Sequence, residues 1–171
     1  MEFILVRHFE TPWNRSGLLQ GSRDIDIHPD HPVDEAHRAR LHESKPFCRV
    51  VCSPLKRTQQ TARLLGFEEF DVRPELAEMD FGPMEGAPKE SLHELEGDWR
   101  ADPLQTELAP GLNAMLERID RFVESHAHLD RVLVFGHGLW SRAAYARYVL
   151  GDANRMNSLR LGNGETLTIR I

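Results

Sequence analysis

Cysteine is scarce in this chain, long apolar runs are missing, and positive charge is not in surplus. The two cysteines, Cys48 and Cys52, have a spacing that matches neither a zinc site nor a redox motif. Both are expected as buried free thiols on or beside a strand over Arg49–Cys52. No stretch approaches the ~18 apolar residues of a membrane span, and the amino terminus lacks the charged segment and apolar core of a secretory signal. A cytoplasmic protein without a membrane partner is therefore expected. A formal net charge of -6 argues against a general nucleic-acid binder, which needs clustered Lys and Arg facing phosphates. No internal repeat or low-complexity linker appears. With 171 residues, 40% of them hydrophobic, one domain over 1–171 with a sizeable core is expected.

What is present begins at Phe3-Ile4-Leu5-Val6, an apolar run that ends abruptly in Arg7-His8-Phe9-Glu10-Thr11. Such a run suits a central strand covered on both faces, and parallel sheets place ligand sites beyond the carboxyl ends of their strands. A second run, Val132-Leu133-Val134-Phe135, ends in Gly136-His137-Gly138 and leads straight into a helical pattern through about Val149. Two strands thus each deliver a histidine. The glycines flanking His137 permit a tight turn and close approach of a ligand to backbone at Gly138, and the next helix offers its amino-terminal amides to an anion.

Between these runs, Ser53-Pro54 reads as a cap and first position of a helix carrying Leu55, Arg57, Ala62, Leu64 and Leu65. Val33 to His42 predicts another helix, with His37 and His42 at its solvent edge. Although His28, His31, His37 and His42 cluster in sequence, their spacing is not that of a metal site, and no metal is assigned. Ser91 and Glu94 form a capping-box pattern opening a short helix. Leu112, Met115, Leu116, Ile119, Phe122 and Val123 recur at helical intervals over 112–124, with His126 and His128 as helix-end cations. An alternating pattern over 165–171 predicts a closing strand.

Arg7-His8-Phe9-Glu10-Thr11, Trp13-Asn14, Ser53-Pro54-Leu55-Lys56-Arg57 with Gln60-Thr61-Ala62, Glu78-Met79-Asp80-Phe81-Gly82 with Glu85-Gly86, and His137-Gly138 follow one another in an order that resembles the histidine phosphatase superfamily, the phosphoglycerate mutase-like proteins. The resemblance covers nearly the whole chain. It implies an α/β fold, a three-layer αβα sandwich with a mostly parallel sheet and a small cap at about 83–110. It also implies His8 as a nucleophile forming a phosphohistidine, with Arg7, Arg57 and His137 around the phosphate and Glu78 as general acid. Asp80 is the runner-up for that acid, and Asn14 and Gln20 are candidate substrate contacts. The substrate would be a small phosphorylated molecule, and no cofactor is called for.

A cap drawn from only about thirty residues is modest and favours a phosphatase over a mutase. The alternatives are mutase-type phosphoryl transfer and a catalytically weak phosphate-binding protein. Two positions depart from the family pattern. Phe9 stands where a glycine is usual, so either the loop is rearranged or the ring walls the pocket or enters the core. Gly111-Leu112-Asn113 stands where a Gly-Glu-Ser stretch is common, and a supporting contact is expected to be missing there.

Overall fold

In a computed structural model that describes residues 1–30 and 32–171, five strands form one sheet in the order β3-β2-β4-β1-β5. They are β1 (Glu2–Arg7), β2 (Arg49–Cys52), β3 (Asp71–Val72), β4 (Arg131–Gly136) and β5 (Thr166–Arg170). All neighbours run parallel except β5, which lies antiparallel on β1. The interiors of β1 and β4 are apolar at every position because both faces are covered. Phe3, Leu5, Val132 and Val134 enter one core, whereas Ile4, Val6, Leu133 and Phe135 enter the other.

Helices supply the two covers. Leu112, Met115 and Ile119 of α4 (Ala109–His126) and Trp140 and Ala144 of α5 (Gly138–Tyr148) close the first face. Leu41 of α2 (Glu35–Glu43) and Ala62 of α3 (Lys56–Leu64) close the second. The three-layer arrangement expected from the sequence is thus present, with a short α1 (Pro12–Arg15) after the first strand. From Gly82 to the start of α4 at Ala109 lie short 3-10 turns at Gly82–Met84, Lys89–His93 and Pro103–Gln105, and this segment walls one side of the cavity described below. Among the described residues no helix is long and apolar enough to cross a membrane.

Several local expectations are corrected. The helix after β2 starts at Lys56 rather than Pro54, and its cap position is Leu55. Ser53 lies two residues ahead of that cap position; its hydroxyl accepts from Leu55 N–H at 3.3 Å and lies 2.7 Å from His137 Nε2. Glu94 closes a 3-10 turn at Lys89–His93, whose start has no side-chain cap, so the Ser91 capping box does not form. His126 is not a helix-end cation. Its ring is buried, stacks 4.3 Å from Phe122 and bonds the Phe122 carbonyl at 2.8 Å, and desolvation lowers its pKa. Cys52 is buried but Cys48 is exposed, since it precedes the covered part of β2.

The histidine cluster of the sequence is scattered in space. His28 bonds Arg15, His37 bonds Thr166, and His42 bonds the Leu65 carbonyl while stacking 4.6 Å from Phe67. His37 and His42 are therefore half-buried and paired rather than solvent-facing, and His31 lies outside the described residues. Among the described residues no three His, Cys, Asp or Glu side chains converge as metal ligands.

Candidate active site

The carboxyl ends of β1, β4 and β2 meet at one point of the sheet. Arg7 pairs with Gly136 in register, and the ladder continues one step further through His8 N–H to the Gly136 carbonyl and Ser53 N–H to the Phe135 carbonyl. This brings His8, His137 and Ser53 together although they are far apart in sequence. The His8 and His137 rings stand edge to face at 5.5 Å.

His8 is 4% exposed. Its Nδ1 lies 2.7 Å from the Phe9 carbonyl, which can only accept, so Nδ1 carries the proton. Burial first, then the Arg57 and Arg7 guanidiniums, push its pKa well below 6.5, and the neutral ring keeps a lone pair on Nε2. The Phe9 N–H is itself fixed on Thr61 Oγ1 at 2.8 Å, while that hydroxyl donates to the Arg57 carbonyl at 2.7 Å. Asn163 Nδ2 donates to the His8 carbonyl at 3.0 Å. The histidine is therefore held from both sides of its backbone.

Two guanidiniums flank it. Arg57 donates to the carbonyls of Arg23 at 2.6 Å and Gly21 at 2.8 Å, and Arg7 donates to the Leu161 carbonyl at 2.5 Å. Neither has a carboxylate in an ion pair among the described residues. Their Nε atoms, together with His137 Nδ1, are buried there without a hydrogen-bond partner. Such donors suit an anion. Gly21 is required for this arrangement: at φ +51° its missing Cβ would sit 2.2 Å from Glu85 Oε1. Glu85 in turn fixes the loop by accepting from Ser22 N–H at 2.6 Å and pairing with Arg23 at 3.0 Å.

Glu78 faces the same space. Its two carboxylate oxygens accept from the N–H groups of Leu139 and Trp140, each at 3.0 Å. The amino-terminal amides of α5, expected to be open to a ligand, are thus taken by this carboxylate. Asp80, the runner-up for the acid, is exposed, accepts from Gly82 N–H at 2.7 Å and does not line the cavity.

Arg7, His8, Arg57, Glu78 and Gly138 line a cavity of about 1000 Å³, and Asn14 and Gln20 border it as the sequence proposed. Asn14 Oδ1 is committed to Thr11 and Asn163, and Gln20 Oε1 lies 2.9 Å from Thr11 Oγ1. His137 differs from the expectation: it is fully buried behind the wall and absent from the lining. Only a group seated against His8 can meet it.

Phe9 neither strains the loop nor walls this cavity. Among the described residues no non-glycine residue has positive φ, and the Phe9 ring is buried with Ile4, Val6 and Phe135. It lines a separate cavity of about 660 Å³ beside α2 and β5, into which none of Arg7, His8, Arg57, Glu78 or His137 opens. Gly111-Leu112-Asn113, expected ahead of the long helix, lies at the start of α4, with Asn113 exposed and none of the three lining the cavity.

A model of the histidine phosphatase superfamily (branch 1) matches residues 3–171. The chain belongs to this superfamily. It is 31% identical over 154 residues to an acid phosphatase of Mycobacterium tuberculosis, covering 85% of this chain and 74% of that protein. It is 37% identical over 103 residues to the probable phosphoglycerate mutase GpmB of Yersinia enterocolitica, but that match spans 58% of this chain and only 48% of the relative. Among solved structures, an open reading frame product from Mycobacterium tuberculosis superposes with TM-score 0.82 at 26% identity, covering 98% of this chain and 89% of the other. A candidate α-ribazole-5′-P phosphatase from Escherichia coli superposes with TM-score 0.77 at 28% identity, covering 100% and 91%.

Sequence reasoning missed three residues that line this cavity or hold its histidines. Arg142 lines the cavity from α5 and was findable, because it lies one helical turn after Gly138. Ser53 was read as a cap rather than as the partner of His137. Asn163 arrives from a carboxyl-terminal loop whose sequence carries no signal for it.

Proposed function

We propose that this protein is a phosphomonoesterase that works through a covalent phosphohistidine on His8. The observation that carries the reading is the state of His8: a neutral imidazole with its Nδ1 proton pinned and its Nε2 lone pair left at a cavity flanked by Arg7 and Arg57. In the first step Nε2 attacks phosphorus, the ester P–O bond breaks, and Glu78 delivers a proton to the leaving alkoxide. The ring gains positive charge as the P–N bond forms, and the Phe9 carbonyl accepting from Nδ1–H stabilises it.

Arg7 and Arg57 neutralise the equatorial oxygens, where a planar, permanently charged fork of donors is effective. His137 adds its buried Nδ1 once the phosphoryl group lies against His8. In the second step water attacks phosphorus, gives its proton to the Glu78 carboxylate, and breaks the P–N bond, so that phosphate leaves and the Nε2 lone pair returns. The residues of 83–110 form a modest cap, which supports hydrolysis over transfer between two positions of one substrate. No step needs a metal, because the arginines carry the charge; turnover is expected to survive chelator.

The test is phosphate release from an aryl phosphate and from alkyl phosphates. His8→Ala is expected to abolish it. Glu78→Gln is expected to slow alkyl esters by about 10²–10⁴-fold and aryl esters far less, because a phenolate departs without a proton. Turnover that persists in His8→Ala would overturn the reading.

A further inference from the structure

We infer that the preferred substrate carries a second anionic group, a carboxylate or a phosphate, which binds on the cavity wall around Arg142 and Arg160. This rests on the phosphomonoesterase reading only in taking Arg7, His8 and Arg57 as the end that receives the scissile phosphate.

The chain as a whole is acidic, at -6, yet its cavity is cationic: Arg7, Arg57, Lys89, Arg100, Arg142 and Arg160 face Glu78 and Glu90. A single phosphate group is served by Arg7 and Arg57. Four cations then remain on the walls beyond them, and among the described residues none of the four has an ion pair with a carboxylate. Elsewhere many arginines are paired, as in Arg147 with Asp120 at 2.6 Å and Arg131 with Glu2 at 2.7 Å, and those without an ion pair among the described residues, such as Arg63 and Arg155, do not converge on this cavity. Converging unpaired charges cost free energy that a ligand anion would offset.

Arg142 is the built part of this wall. Its Nε donates to the Gly138 carbonyl at 3.2 Å and its Nη1 to Asn157 Oδ1 at 3.1 Å. Asn157 is itself anchored, donating to the Trp99 carbonyl at 2.5 Å. The guanidinium is thereby oriented in advance by neutral acceptors, which fix its direction without neutralising it. Desolvation and the fields of Arg7 and Arg142 depress the Lys89 ammonium, so these cations stand close enough to repel one another. Leu19, Leu92, Trp99, Leu139 and Leu161 of the same lining supply apolar wall for an organic body.

The test uses alkylphosphonates of increasing length, which no phosphatase hydrolyses, ending in a carboxylate, a second phosphonate or an uncharged carboxamide. Titration calorimetry on the full chain is expected to show at least one doubly anionic length binding about tenfold more tightly than its amide. The better of the two anionic series identifies the group. The preference is expected to fall below about threefold in Arg142→Gln and to shrink in Arg160→Gln, an exposed position where folding is not at stake. No preference at any length overturns the inference, as does one that survives both substitutions or vanishes at about 0.3 M salt, where only long-range steering is screened. Absent aryl phosphate turnover with the preference intact overturns the phosphomonoesterase reading alone, and turnover without preference overturns this inference alone.

Discussion

Replacing Gly138 by alanine separates the fold from the function of this site. Gly138 opens α5 where Arg7 crosses the helix end, and a Cβ there would stand 3.0 Å from Arg7 Nε and 3.1 Å from its Cζ. Ordinary contact begins at 3.4 Å, so the guanidinium must retreat by a few tenths of an ångström. It cannot swing freely, because its Nη1 is held on the Leu161 carbonyl at 2.5 Å. A misplacement of about 1 Å costs about 10²-fold in rate, so this smaller one should lower kcat/KM for a phosphate ester by roughly 5- to 50-fold. Stability should change by no more than about 1 kcal/mol: the residue is helical without positive φ, and the helix preference of alanine over glycine offsets part of the crowding against Arg7. Phosphate release and urea melts on the same preparations read both quantities. Unchanged kcat/KM in a fully folded Gly138→Ala protein would refute the placement of Arg7 on the phosphoryl group.

Phe9→Gly should cost about 3–5 kcal/mol of stability, as for other large core truncations, while the folded fraction keeps its turnover; a loss of activity without loss of stability would contradict the buried, unstrained Phe9. Stability should also depend on pH through His8 and His137, whose folded pKa values lie well below 6.5. Above 6.5 neither state binds these protons. Below it the unfolded chain takes up protons that the folded chain refuses, so stability falls as pH drops, by about 1.4 kcal/mol per pH unit for each histidine at the steepest. A denaturation midpoint constant from pH 8 to 5 would exclude this. The same depression keeps the nucleophile neutral, so kcat/KM, corrected for ionisation of the substrate, should show no loss near pH 6.5. An aryl disulfide reagent should label exposed Cys48 quickly and Cys52, whose thiol pKa burial pushes up, only on unfolding; two rapid equivalents would place Cys52 outside the core.

The layers of this protein were legible in its sequence because its strands and helices advertise themselves locally. Continuous apolar runs at 3–6 and 132–135 require cover on both faces, and the helical spacing from Leu112 to Val123 requires one buried face. The chemistry-bearing ends, Arg7-His8 and His137-Gly138, follow from where those runs stop. Other features depended on contacts between distant segments, which no local pattern encodes. Ser53 meets His137 from outside the helix it was expected to cap, and Glu78 accepts from the helix amides expected to face a ligand. His126 became a buried ring whose pKa is lowered, packed on Phe122 and bonded to the Phe122 carbonyl, against the helix-dipole expectation. Phe9 could be read three ways from sequence; its backbone angle and the core beneath it decided among them. The cationic wall around Arg142 likewise exists only because α5, the 89–100 segment and the loop at 157–162 close on one cavity, concentrating charge that the acidic composition of the chain conceals.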